Sequence, residues 1–147
     1  MARRQPKSFS RGGMTTGATE RHLKELGDHV LTAAKEALKT CAEEVARDAK
    51  SRCPVYEGHK KGNGQVYHWQ GAASGALRDS IKAEPNKSGT VYQISANAKN
   101  GKGYLYGQII EFSPKINRPF LYPALDANRD KVRESIAAAI RAAIKGG

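Results

Sequence analysis

Tyr104-Leu105-Tyr106-Gly107-Gln108-Ile109-Ile110-Glu111-Phe112 is the stretch on which the fold turns, with Pro119-Phe120-Leu121-Tyr122-Pro123-Ala124-Leu125 a short loop later. The first run is rich in aromatic and β-branched residues and holds no proline, so it reads as a central strand. Alternation would put Tyr104, Tyr106, Gln108, Ile110 and Phe112 on one face, with Leu105, Ile109 and Glu111 on the other. Pro119 and Pro123 fix φ and launch a helix. Phe120, Leu121 and Leu125 are expected to pin that helix to the sheet. The helix runs from about Tyr122 to Ile144. Leu125, Val132, Ile136, Ala139, Ile140 and Ala143 form its inner stripe, and Arg129, Arg133 and Arg141 its outer face.

Upstream of the expected strand, Thr90–Ala96 alternates Val91 against Tyr92, Ile94 and Ala96, as a half-buried strand does. Asn97–Gly103 is then the hairpin loop between the two. Pro85-Asn86-Lys87-Ser88-Gly89 reads as a turn that ends a short strand from Ile81. In Ser74-Gly75-Ala76-Leu77-Arg78-Asp79-Ser80-Ile81, one helical turn would bring Leu77 and Ile81 inward together. The expected sheet is an antiparallel meander of three to four strands.

From Glu20 the period is helical. Leu23, Leu26, Val30, Ala33, Ala37, Cys41, Val45 and Ala49 recur at three and four residues, with Thr19 as the expected N-cap and Pro54 as the stop. Gly27 is a weak point in this helix and a place where another backbone would approach closely. The fold class expected is α+β: a long N-terminal and a C-terminal helix packed on a small antiparallel sheet, with a protruding loop or hairpin. Residues 20–147 form the domain, and residues 1–19 form a flexible basic arm. Residues 53–73 form an extended flap, in which Gly62-Asn63-Gly64 would turn a hairpin between Val55-Tyr56 and Val66-Tyr67-Trp69. Tyr56, Tyr67, His68 and Trp69 are candidate contacts with another chain. Trp69 folded back on its own core is the alternative.

The chain has 147 residues, a net charge of +11 and no apolar run near the length of a membrane span. The segment Glu20–Arg52 is neutral. The excess lies in the arm (Arg3, Arg4, Lys7, Arg11), in the middle from Cys53 to Pro114, and from Lys115 to Gly147. An acidic partner follows, either nucleic acid or an acidic protein surface. The basic N-terminus has no apolar signal core, which argues against export. Cys41 and Cys53 are twelve residues apart on one expected helix, too far to bond at about 1.5 Å rise per residue. They read as reduced core residues of a protein made in the cytoplasm.

No catalytic constellation emerges. His22, His29, His59 and His68 lack metal-ligand spacing with each other or with the cysteines. Gly58–Gly64 lacks the ending of a phosphate loop. Glu111 is the most interesting carboxylate, with Asp79 and Glu84 as conceivable partners in acid–base work. Tyr92, Tyr104 and Tyr106 on strands would suit base stacking, although a core explains the same pattern. A basic nucleic-acid-binding module is therefore the alternative reading, and no metal, cofactor or membrane is expected.

Three segments carry a resemblance. Ser74–Ile81 resembles a Thr-Gly-x-Leu-Arg-x-Ser-Ile segment, Tyr106–Ser113 a Tyr-x-x-x-x-Glu-Phe-Gly end, and Pro119–Leu125 a Pro-Phe-Leu-x-Pro-Ala-Leu helix start. Gly75, Leu77, Arg78, Glu111, Phe112, Pro119, Phe120 and Pro123 are the matching positions. In this order, after a long helix, they resemble the neck or tail-completion proteins that join head to tail in long-tailed bacteriophages and prophages. Ser113 departs from the family's glycine. The resemblance implies a non-enzymatic virion component at the head–tail junction, made in the bacterial cytoplasm. It implies assembly as a ring, with six copies expected, among neighbouring neck, connector and tail proteins and near packaged DNA.

Overall fold

The computed structural model describes residues 16–55, 59–60, 62, 66–67 and 75–146. The basic arm, with Arg3, Arg4, Lys7 and Arg11, and the loop residues Tyr56, His68, Trp69 and Ser74 lie outside the described residues. The elements run α1 (Thr16–Arg52), β1 (His59–Lys60), β2 (Val66–Tyr67), α2 (Ala76–Asp79), β3 (Ile81–Pro85), β4 (Tyr92–Ala96), α3 (Gly107–Phe112) and α4 (Leu121–Gly146).

α1 forms where the helical stripe predicts and stops before Pro54. Thr19 is not its cap, because residues from Thr16 onward are already helical. Its fully buried residues, Cys41, Ala42, Val45, Ala46 and Ala49, all lie in its second half. Two layers close on that half: the β3–β4 sheet on one flank and α4 along the other. Small side chains at these positions let both approach the helix axis. α4 thus packs chiefly on α1 rather than on the sheet. The two helices are antiparallel. Lys131 Nζ meets Glu44 Oε2 at 2.8 Å, Asn128 Nδ2 donates to Asp48 Oδ2 at 2.8 Å, and Ala139–Ala143 lie across from Ala33–Thr40.

β3 and β4 pair antiparallel with Ile81 opposite Ala96 and Ala83 opposite Ile94. These four line the inner face, while Lys82 and Glu84 point to water. Asn86 builds the turn, its Oδ1 accepting the Thr90 and Val91 N–H groups at 3.0 and 3.2 Å. β1 and β2 form a second, two-residue ladder, His59 opposite Tyr67 and Lys60 opposite Val66. The hairpin therefore uses His59–Lys60 as its first arm, where Val55-Tyr56 was expected.

The expected central strand is a helix. Residues 104–106 contribute one isolated bridge, Lys99 to Leu105, and Gly107–Phe112 then coil into α3. The main sheet consequently has two strands, not three or four. Burial explains why. Gly107 and Glu111 are buried, and Tyr106 and Ile110 pack against the core; these are two pairs at i, i+4. The alternation read from sequence fails at both ends, where Tyr104 and Phe112 are 66% and 74% exposed. Tertiary contacts decide over β propensity in so short a run.

The core joins Val45, Ala46 and Ala49 of α1, Cys53, Leu77, Ile81 and Ala98 to Phe120 and Ala124. Phe120 and Ile81 are its largest fully buried side chains. α4 turns Ala124 inward, and the expected inner residue Leu125 is exposed. Leu77 and Ile81 meet inside, as their spacing predicts, and Cys41 and Cys53 are free thiols in the interior.

Candidate functional site

α3 is six residues long, and each of its sides has a different task. On the inner side Gly107 meets the end of β4 so closely that a Cβ there would lie 2.9 Å from the Ala96 carbonyl oxygen and 3.0 Å from Leu77 Cδ1. Only glycine permits that approach. Glu111, one turn on, turns a buried carboxylate toward the start of α4. The Phe120 and Leu121 N–H groups donate to its Oε2 at 2.7 and 3.0 Å, and the Tyr122 N–H donates to Oε1 at 2.7 Å. A helix leaves its first four N–H groups without partners. Here Glu111 takes three, and the fourth position is Pro123, which has none. The anionic group also meets the positive end of the α4 dipole. The most interesting carboxylate of the sequence is thus a helix cap. Asp79 is held instead by Arg78, at 3.1 Å, and Glu84 stands exposed on β3.

The rest of the sequence motif falls around this joint. Gly75 has φ of 75°, a left-handed conformation that glycine adopts at no steric cost, and it starts α2. Leu77 is buried, Arg78 is exposed and Phe120 seals the core. Pro119 is exposed, just ahead of the helix. Ser113 takes φ of −76° and ψ of 120°, extended backbone open to any residue, so serine there strains nothing.

On its outer side α3 is apolar and wet. Ile109 and Phe112 stand on that side and are exposed, and Leu105, in the bridge just before the helix, is exposed too. Tyr104 precedes them, Ile116 follows, and Tyr122 and Leu125 are likewise exposed on the first two turns of α4. Lys102, Lys115 and Arg118 are exposed nearby in sequence, and none is ion-paired among the described residues. Sequence reasoning missed this surface because it read residues 104–112 as one central strand, with Tyr104 and Phe112 on a shared face.

The far end of α1 carries a second uncovered surface. The α1–α4 register brings the last turn of α4 level with about Val30. Among the described residues, Thr16–His29 therefore runs on past the end of α4 for roughly 20 Å at 1.5 Å per residue. Leu23 is 61% exposed there, and Leu31 is exposed one turn beyond. His22 and His29 are solvated, as their helix face predicts.

Burial pushes the Cys53 thiol up to about 11, with the Asp79 and Glu111 carboxylates adding to the effect and Arg78 opposing it. A thiol so poised holds its proton at neutral pH and is a poor nucleophile. Tyr106 is likewise raised, chiefly by burial. Across the helix pair, the Lys131 ammonium holds Glu44 below the usual carboxylate range and is itself raised; Arg52 first, then Asn128 and Ser51, hold Asp48 down. Among the described residues no group of three or more His, Cys, Asp or Glu is placed to hold a metal ion. A groove of about 480 Å³ between α1 and α4 is lined mainly by alanines, with His29, Glu36 and Thr40. Another of about 390 Å³ runs between α1 and β3.

Residues 17–112, from the first turn of α1 to the last residue of α3, match the family model of HK97 gp10-like proteins, described as "Bacteriophage HK97-gp10, putative tail-component". The chain belongs to the HK97 gp10-like family. Neither a curated protein nor a solved structure matches it. The family match takes in the glycine-led turn at α2 and the whole of α3, and ends next to the Glu111 cap; α4 lies beyond it. Membership gives the chain a structural role in a phage tail and contact with other virion proteins. No described helix is long and apolar enough to cross a membrane.

Proposed function

We propose that this HK97 gp10-like protein is a ring-forming connector that completes the tail at the head–tail junction, assembled from copies made in the bacterial cytoplasm. One observation carries the reading. Large apolar side chains stand in water at two separate places, the α3–α4 corner and the free end of α1. A solvated monomer gains nothing from either, whereas neighbours in an assembly would cover both. A ring requires two different adhesive surfaces on each copy, because each copy meets the next head to tail. Six copies is the number expected.

In this reading the flap, with Tyr56, Tyr67, His68 and Trp69, contacts a neighbouring subunit or partner ring. The arm, with Arg3, Arg4, Lys7 and Arg11, orders against an adjacent connector, a tail protein or packaged DNA. The chain acts by filling space and making contacts, without catalysis. Imaging the purified protein with its neighbouring virion proteins tests this directly: closed rings seated between head-side and tail-side partners are expected. Removing Met1–Thr15 should leave the domain folded and weaken attachment to those partners. Tight, salt-dependent DNA binding by a protein that never assembles would favour the nucleic-acid module instead.

A further inference from the structure

Gly27 sits near the inner end of the free part of α1, where among the described residues nothing lies within 4 Å of the position its Cβ would take. A glycine in an exposed helix interior costs about 1 kcal/mol relative to alanine, and no contact among the described residues explains it. Its neighbours on the same face do. Glu20, Leu23, Lys24, Gly27 and Leu31 fall at i, i+3, i+4, i+7 and i+11, so they form one stripe: a carboxylate and an ammonium, two exposed leucines and a notch between the leucines. The same free stretch carries Glu20, Glu25 and Asp28 against Arg21 and Lys24, an acidic balance in a chain of net +11.

The α3–α4 corner has the complementary character. Phe112 is the most exposed of its large apolar side chains, Ile109 stands one turn before it on α3, and Lys102, Lys115 and Arg118 supply positive charge that is not ion-paired among the described residues. The corner stands by the C-terminal end of α1, because α4 begins there and runs antiparallel. The stripe stands at the other end, roughly 40 Å away along the helix at 1.5 Å per residue. One copy therefore cannot bring its own two surfaces together.

We propose that the free end of α1 in one copy seats on the α3–α4 corner of a second copy, with Phe112 entering the notch at Gly27 between Leu23 and Leu31. The basic side chains of the corner face the carboxylates of the incoming helix. The contact is heterologous, so repetition closes a ring or extends a filament. This rests on the assembly reading above and names the two surfaces that meet.

The test uses the full chain and two exposed substitutions, Leu23→Lys and Phe112→Ser, followed by sedimentation over a concentration series. Unchanged circular dichroism checks that each variant is folded. The wild type should self-associate, and each variant should lose tenfold or more in affinity. Mixing the two is decisive. The Leu23→Lys copy keeps an intact corner and the Phe112→Ser copy keeps an intact stripe, so together they should form a one-to-one dimer and stop. Gly27→Ala should raise the melting temperature while weakening association, a split that a purely structural glycine would not produce. Variants that assemble like the wild type would overturn the contact and leave the ring reading standing. Variants that lose assembly but form no mixed dimer would overturn the pairing of these two surfaces. A wild type that stays monomeric, alone and with its virion partners, would sink the ring reading and the contact together.

Discussion

The carboxylate of Glu111 accepts the backbone N–H of Phe120 at 2.7 Å, and this bond fastens the end of α3 to the start of α4. The same side chain holds Leu121 and Tyr122, so one residue fixes where the second long helix begins and where Phe120 enters the core. Glu111→Ala would leave three N–H groups at a partly buried helix start without their carboxylate and is expected to cost about 2 kcal/mol. Glu111→Gln keeps an acceptor oxygen and loses the charge, at roughly half that cost. Urea midpoints for the three proteins should fall in that order. Equal midpoints would show that water replaces the cap freely.

Gly107 and Gly27 make opposite predictions for one substitution. A methyl group at Gly107 runs into the Ala96 carbonyl oxygen, a backbone atom that cannot rotate away, and into Leu77. Gly107→Ala should destabilise by about 1–3 kcal/mol through overpacking. At Gly27 the space is open and the backbone already helical. Gly27→Ala should stabilise the monomer by about 0.5–1 kcal/mol. Thermal melts of the two variants should move in opposite directions; a shift in the same direction would mean that one of these environments is misdescribed.

How much of this was legible in the sequence depends on whether local pattern or distant contact decided the outcome. α1 and α4 were readable because their stripes repeat over many turns. Only their ends slipped, Thr19 lying inside α1 and Ala124 rather than Leu125 facing inward. The β3–β4 pair was readable because Ile81, Ala83, Ile94 and Ala96 alternate with polar residues and Asn86 marks the turn. α3 was not. Six residues such as Gly107–Phe112 fit either period, and what chooses between them is the α4 start, nine residues or more away in sequence. A carboxylate eight residues ahead of Pro-Phe-Leu-Tyr-Pro was the available clue. The apolar corner was hidden for a different reason. Large apolar side chains are assigned inward by default, and only the fold shows that Phe112 stays outside.

Acid should loosen the α1–α4 pair before it reaches the core. Glu44 and Asp48 are both held below their ordinary values of 4.5 and 3.8, Glu44 by Lys131 and Asp48 first by Arg52. Their folded-state values lie lower than the unfolded ones, so their contribution is fully present above those ordinary values. It is lost as pH falls through the lower, folded-state values. Lys131 is raised above 10.5, so its share is present below that pH and is lost as pH climbs through the folded value. Denaturation midpoints should accordingly stay level from pH 8 to 5 and decline further down. Glu44→Gln should lower the neutral plateau slightly and soften the acid limb. An unchanged acid limb in that variant would assign the decline to other carboxylates. Both residues are solvent-screened, so the expected effect is small.

Cys53 offers a clock for the joint between α3 and α4. It is 6% exposed and packs in the same core as Leu77, Ile81 and Phe120, and burial drives its thiol up to about 11. Thiolate is the reactive form, and at pH 8 both the small thiolate fraction and the closed surroundings oppose attack. A disulfide reagent should therefore label native Cys53 far more slowly than the unfolded chain, in a Cys41→Ala background that isolates its signal. Glu111→Ala should speed that labelling, because loosening the start of α4 withdraws Phe120 from the packing that covers the thiol. The linkage is specific. Loss of the Lys131–Glu44 pair, farther along the helices, should leave the rate nearly unchanged. Prompt labelling of the native wild type would mean that the joint opens readily, and that Glu111 does not hold it shut.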